Sequence, residues 1–285
     1  MKYGFVLPYA DPRTAVELAC EAEDAGWDGF FTWEPVWGWE AWVVLGAAAV
    51  RTQRIKLGTM ITPLSRMRPW KLAGETVTVD HLSQGRVILS VGLGAVDTGF
   101  AAFGEATDRK VRAERLDEGL AILAGLWGGQ PFRYTGKHYT VQPVDFFPPP
   151  SPVQQPRIPI WVVGALGSPK SMARALRYDG LIPSIVSVGS DGQKATRQVT
   201  PNELREAVAY VKGERTATTP FAFVVEGETF GMAQPAAAKV VAEWADAGAT
   251  WWMETLWTKA AESATPAEGI ALLRERIKQG APRKN

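Results

Sequence analysis

Two stretches decide the fold: Arg54-Ile-Lys-Leu-Gly-Thr-Met-Ile-Thr-Pro-Leu64 and Thr78-Val-Asp-His-Leu-Ser-Gln-Gly-Arg-Val-Ile-Leu-Ser-Val-Gly-Leu-Gly94. Each contains a continuous apolar run that reads as a strand buried on both faces, ending in glycine or another small residue. Between them lies one helix-length segment, Trp70 to Leu82. This is a β-α-β unit whose strand ends admit the close approach of something flat.

Outward from that unit, strands and helices alternate along the whole chain. The expected strands are Tyr3–Leu7, Gly29–Trp33, Ile55–Ile61, Val87–Gly92, Ile158–Gly164, Gly180–Pro183, Phe221–Val225 and Thr250–Glu254. Helices have readable ends. Asp11-Pro12 is an N-cap followed by proline at the first helical position, and Gly26 stops that helix. Thr265-Pro266-Ala-Glu268 is a capping box, and Gly280 ends the last helix. The others run over about Glu40–Arg51, Trp70–Leu82, Arg112–Leu126, Pro169–Tyr178, Pro201–Lys212 and Pro235–Ala247. Eight strands in strict alternation with eight helices predict a single α/β domain over residues 1–285, a (β/α)8 barrel. Two insertions interrupt it, about 127–157 and 187–200, and both are expected at the C-terminal face. The first is a Pro- and aromatic-rich stretch with a small hairpin at Gln130–Tyr139. The second is polar and without apolar period, a candidate mobile lid.

Composition narrows the function. Thirty-one Lys and Arg against 30 Asp and Glu leave a net charge of +1, which disfavours a polyanion-binding surface. One cysteine, Cys20, excludes an internal disulfide and points to a reducing, cytoplasmic home. The N-terminus reads as a first strand, with no basic leader, and no apolar run is long enough for a membrane span. The two histidines, His81 and His138, are not in ligand spacing, so no metal is expected. His81 reads as structural.

In such a barrel the chemistry sits where the strands end. Glu34, beside Trp33, is the candidate catalytic acid or base, because burial among aromatic rings raises a carboxyl pKa. Trp37 and Trp39 are candidate substrate contacts. Thr59, Met60 and Ile61, then Gly92, Leu93 and Gly94, end strands three and four. Strand five runs into Gly164-Ala165-Leu166-Gly167-Ser168 just before a helix, a place where backbone N–H groups and a helix dipole suit a phosphate. Pro183 ends strand six. Ala22–Glu34 and Ala242–Glu254 echo one another, each a glycine-stopped helix leading into an aromatic strand that ends in glutamate.

Seven motifs together resemble the bacterial-luciferase-like, flavin-dependent oxidoreductases. They are Ala22-x-x-Ala-Gly-Trp-Asp-Gly-Phe-Phe31, Thr52-x-Arg-Ile-x-Leu-Gly-Thr59, Arg68-Pro-Trp-x-Leu-Ala73, Leu82-Ser-x-Gly-Arg86, Val91-Gly-x-Gly94, Phe103-Gly104 and Pro159-Ile-Trp-Val162. The resemblance implies a (β/α)8 barrel, usually a homodimer, that binds FMN or the deazaflavin coenzyme F-420 at the C-terminal face and acts on a small, largely apolar organic substrate by monooxygenation or hydride transfer. It also implies a non-prolyl cis peptide at Met60–Ile61 or its neighbour. The chain departs from the family in places. Gly92 and Leu93 stand where the luciferase subunit has a cysteine and a phosphate-binding arginine. Trp33-Glu34 stands where the F-420 glucose-phosphate dehydrogenases have a histidine, so that sugar chemistry is not expected. A non-catalytic flavin-binding barrel is the alternative. A flavin-free isomerase or aldolase lacks its expected strand-end lysine here.

Overall fold

The structure is a computed structural model that describes residues 1–188 and 194–283. Eight parallel strands form the barrel: β1 Lys2–Leu7, β2 Gly29–Thr32, β3 Lys56–Thr59, β4 Val87–Val91, β5 Ile160–Leu166, β6 Gly180–Val188, β7 Ala222–Gly227 and β8 Trp251–Glu254. They pair in sequence order. β8 returns to β1, with Lys2 opposite Trp251, and β7 closes on β6, with Ala222 opposite Gly180. The outer helices are α1 Pro12–Asp24, α2 Ala41–Arg51, α3 Pro69–Ser83, α4 Arg109–Trp127, α5 Pro169–Leu176, α6 Pro201–Glu214, α7 Gln234–Asp246 and α8 Pro266–Lys278. All eight expected strands and helices are present. A short extra helix, Trp257–Ala261, is new; five residues are too few to show a helical period.

The barrel has two cores. Residues facing outward from the strands, such as Phe5, Phe30, Leu57 and Leu89, pack against the helices. Inside, Val6, Phe31, Met60, Ile88, Trp161, Val224 and Met253 form a separate cluster with Trp251. Three of these rings interlock: Phe31 stacks on Trp161 at 5.6 Å, and Trp251 meets both edge-on at 6.1 and 5.1 Å. Glycines make room for them. A β-carbon on Gly29 would lie 2.5 Å from Phe31, and one on Gly180 would lie 2.5 Å from Trp161. The barrel is therefore plugged by aromatic rings, with a cavity below them, bordered by Ile88, Trp161 and Trp251, and a separate cleft above.

The two insertions differ from expectation. The stretch 127–157 joins a helix to a strand, so it leaves the barrel at the N-terminal face. Its hairpin, Tyr134–Thr135 with Thr140–Val141, folds back outside α4, where the amides of Lys137, His138 and Tyr139 donate to Glu118. The polar stretch after β6 does lie at the C-terminal face, but it is a β-arm: Lys194–Gln198 pairs antiparallel with the end of β6. Backbone pairing holds that strand, which is why no apolar period marks it. Residues 189–193 of the expected lid lie outside the described residues. No described helix is long and apolar enough to cross a membrane.

Arg86 explains the Leu82-Ser-x-Gly-Arg86 motif. Buried between α2 and α3, it donates to Ser83 O, Thr52 Oγ1, Ile55 O, Ala49 O and Thr52 O at 2.7–2.9 Å. Those carbonyls belong largely to helix ends and turns with no other partner to hand. Arg86→Met keeps the bulk and leaves them unsatisfied. A loss of roughly 3–5 kcal/mol is expected in chemical denaturation, as for other broken buried networks. A loss below about 1 kcal/mol would show that these bonds do not hold the connection.

Candidate active site

A cleft of about 490 Å³ opens above the aromatic plug, within the range of small-molecule sites. Its apolar walls are Trp33, Met60, Ile61, Val163 and Trp257, and its polar groups include Glu34, Glu226, Ser171, Ser184, Arg109 and Arg174. The Met60–Ile61 peptide is cis, at the expected position.

Glu34 follows β2 and is nearly inaccessible to solvent. Thr62 Oγ1 donates to its Oε2 at 2.6 Å, and Thr59 Oγ1 lies 2.9 Å from Thr62 Oγ1. A hydroxyl has one proton to give. Thr62 gives it to Glu34, so in the Thr59–Thr62 bond Thr59 is the donor. The relay ends on the carboxylate. Arg66 Nη2 stands 3.6 Å from Oε1, while its better bonds, 2.7 Å to Pro35 O and 3.3 Å to Glu34 O, pin the loop. Burial pushes the carboxyl up to about 7, against the opposing pull of Thr62 and Arg66.

Glu226 was not anticipated. It continues the inward register of Ala222 and Val224 on β7, and Trp257 Nε1 donates to its Oε2 at 3.3 Å. Burial raises this carboxyl as well. Trp33 meets Trp257 edge-on at 6.5 Å, so an aromatic wall stands beside both acids. The available signal was register: a carboxylate two residues past an inward-facing apolar residue at a strand end.

The remaining candidates separate. Leu93 and Gly94 line the cleft. Gly92 lies behind it, and a β-carbon there would lie 2.3 Å from Ile61 Cδ1. Thr59 is fully buried beneath Thr62. The turn after β5 divides: Ala165 faces the cleft, with its N–H bonded to Ser171 Oγ at 3.0 Å, whereas Leu166, Gly167 and Ser168 line a different groove against α6. Gly164 faces α5, and a β-carbon there would lie 2.3 Å from Leu181. Pro183 is buried opposite it in the sheet. Trp37 and Trp39 are 83% and 62% exposed and line a neighbouring cavity; Trp33 alone borders both spaces. His81 bonds Ser151 O at 3.0 Å, a structural contact. The two echoed glutamates also part. Glu254 points outward from β8 into an ion pair of 3.0 Å with Arg276, bonded also to Thr229 and Trp252.

The sequence profile described as luciferase-like monooxygenase matches residues 2–274. The chain belongs to the luciferase-like family. Among its relatives, a putative coenzyme F-420-dependent oxidoreductase of Mycobacterium tuberculosis is 35% identical over 49% of this chain and 40% of the relative. An F-420-dependent glucose-6-phosphate dehydrogenase of Amycolatopsis mediterranei is 33% identical over 55% of this chain and 49% of that protein. The chain thus spans about half the length, or less, of the curated relatives it matches. The coenzyme F-420-dependent tetrahydromethanopterin reductase of Methanopyrus kandleri shares the fold, with a TM-score of 0.69 at 18% identity over 96% of this chain and 97% of that one.

A carboxyl raised by burial has a signature in this luciferase-like barrel. Between its ordinary value of 4.5 and about 7, the folded protein binds more protons than the unfolded chain. Stability therefore falls as pH rises through that window, by roughly 3 kcal/mol for one such group. Glu34→Gln removes the effect. The variant is expected to match the wild type near pH 5 and to melt higher near pH 8, as read by thermal denaturation across pH. A variant that melts lower at both values would instead mark Glu34 as a structural carboxylate.

Proposed function

We propose that the protein is an oxidoreductase that uses coenzyme F-420 for hydride transfer to or from a small, largely apolar organic substrate, with Glu34 as the proton donor and acceptor. One observation carries this reading: a carboxyl poised near neutrality beside an apolar-walled cleft at the barrel's C-terminal face. F-420 is preferred over FMN because the named relatives are F-420-dependent.

The lining suits a planar tricycle with an anionic tail. Met60, Ile61, Val163 and Trp257 offer a flat apolar bed. Arg109, at the first turn of α4, has no ion-pair partner among the described residues and is free for a phosphate at the rim. Arg174 is committed to Asp117 at 2.7 and 2.8 Å. The bound coenzyme would supply or take two electrons as hydride. In reduction of a carbonyl, neutral Glu34 donates the matching proton to the substrate oxygen; in oxidation of an alcohol, ionised Glu34 removes it. A pKa near 7 makes both forms available at neutral pH. Trp33 and Trp257 keep water from the reacting atoms.

Titration with F-420 and FMN, read by fluorescence, tests the cofactor: F-420 is expected to bind below roughly 100 µM, and failure of both would end the reading. Glu34→Gln should retain that affinity while single-turnover reduction or oxidation slows about 10²-fold or more. An unchanged rate would remove Glu34 from the chemistry.

A homodimer is part of the proposal. Val43, Val50, Trp70 and Leu82 on α2 and α3 are each more than two-fifths exposed, around a groove floored by Gly46 and Gly74. An outer barrel helix needs only one buried apolar stripe, and these carry a second. A second copy of the chain is the expected cover. Light scattering at tens of micromolar, by order of magnitude the range for a stable interface, should give twice the chain mass, and Val43→Glu should give the monomer. A monomeric wild type would contradict it.

A further inference from the structure

The cavity below the aromatic plug, of about 740 Å³, opens at the N-terminal face of the barrel, where the strands begin. Its apolar walls are Ile88, Trp161, Trp251, Phe221, Pro159 and Pro220. The interlocked rings of Phe31, Trp161 and Trp251 separate it from the cleft. Two lysines also line it, and the strand register turns both inward. Lys2 shares a face of β1 with inward-facing Val6 and pairs with inward-facing Trp251. Lys56 on β3 pairs with Gly29, whose β-carbon would lie 2.5 Å from Phe31 and 3.1 Å from Trp251, on the inner side of the barrel. Directly paired residues share a face of the sheet.

No described carboxylate pairs with either lysine. Lys2 Nζ stands 5.5 Å from the centroid of the Trp251 ring and has no hydrogen-bond or ion-pair partner among the described residues. Lys56 is half-buried, and its Nζ donates only to Gly85 O at 3.1 Å. An ammonium has three N–H groups to give. The acids nearby are already engaged. Asp179, on the cavity wall, is paired with Arg157 at 3.0 Å. Asp80, whose charge is felt at Lys56, accepts from Gln154 N and Nε2 at 3.2 and 2.8 Å. With Arg157 and Asp179 cancelling, the positive charges of Lys2 and Lys56 stand uncompensated in the lining. Burial first, and then the Lys2 charge, hold the Lys56 ammonium below its ordinary value. A bound anion relieves both effects.

We propose that this N-terminal cavity binds a small organic anion, a carboxylate on an apolar ring, with the carboxylate held by Lys2 and Lys56 and the ring against Phe221, Pro159 and Pro220. Its volume lies in the range of small-molecule sites. A lysine ammonium is a rotatable point charge and imposes little shape on its partner, so the apolar walls do the selecting. A bare inorganic anion satisfies the lysines but leaves those walls wet. The site lies on the far side of the plug from Glu34 and does not depend on which cofactor fills the cleft.

The test uses 2-naphthoate, its uncharged analogue 2-naphthylmethanol and inorganic phosphate as probes on the full chain, with binding followed by calorimetry and ligand-observed NMR. At low salt, 2-naphthoate should bind saturably, with a Kd on the order of 100 µM. The alcohol lacks the charge and phosphate lacks the ring, so both should bind more weakly. Lys2→Met and Lys56→Met should each weaken 2-naphthoate about three-fold or more. Salt at about 1 M should weaken it as well, because the lysines face an open cavity. Saturating F-420 should not displace it. Absence of saturation, alcohol or phosphate binding as tight as that of 2-naphthoate, displacement by F-420, or unchanged affinity in the lysine variants would overturn the inference. Lys2→Met, at an exposed side chain, decides the matter should Lys56→Met not fold. F-420 binding is read separately. Its failure with 2-naphthoate binding intact would count against the proposed function and not against this site.

Discussion

The aromatic plug is the constraint on which the rest of the structure depends. Phe31, Trp161 and Trp251 fill the barrel, and strand glycines at 29 and 180 leave space for their rings. With the interior occupied, the space at the barrel axis is split in two: a cleft above the plug, where β2, β3, β4 and β7 end, and a cavity below it against Trp161 and Trp251. The cleft's own walls, Trp33, Met60, Ile61, Val163 and Trp257, are apolar, so carboxyls buried among them lose hydration. The fold and the chemistry are thus linked: the filled barrel leaves the cleft at the strand ends, where Glu34 and Glu226 are buried among apolar walls.

Glu34 shows how that environment is managed. Its charged form is disfavoured by burial and favoured by the Thr59–Thr62 relay and the more distant Arg66 guanidinium. Neither side wins outright, which leaves the carboxyl near 7. Glu254 has closer partners: Arg276 at 3.0 Å joins Thr229 and Trp252 in a fully buried network. Two glutamates in echoed sequence settings therefore serve opposite ends, one poised and one locked. The difference is set by which partner reaches them and by where the strand stops: Glu34 lies beyond the end of β2 and borders the cleft, whereas Glu254 is still in β8 and points outward to Arg276.

The fold was legible because it rests on local signals: apolar runs of strand length, caps with proline at the first helical position, and glycine stops. The cis peptide at Met60–Ile61 was legible through family resemblance alone. The site was legible only in part. Glu34 and Trp33 could be placed because they directly follow a strand. Trp37 and Trp39 could not, because three to five residues of loop allow the chain to turn away, and it does so over a different cavity. Gly164–Ser168 looked like one cradle, but the turn splits between two surfaces, which depends on how α5 docks. Thr62, Arg66 and Glu226 were missed because their meaning lies in contacts across about thirty residues or more of sequence. The β-arm after β6 carried no apolar pattern, since its partner is a backbone edge and not a core.

The central claim is that a carboxyl at the cleft exchanges its proton near neutrality. Infrared difference titration of wild type against Glu34→Gln measures it directly, without substrate or cofactor. The protonated-carboxyl band assigned to Glu34 should be present in mild acid and disappear with a midpoint near 7. A carboxylate already ionised at about pH 5, near the ordinary range for glutamate, would contradict it, and Glu34 would then be a structural anchor for Thr62 and Arg66.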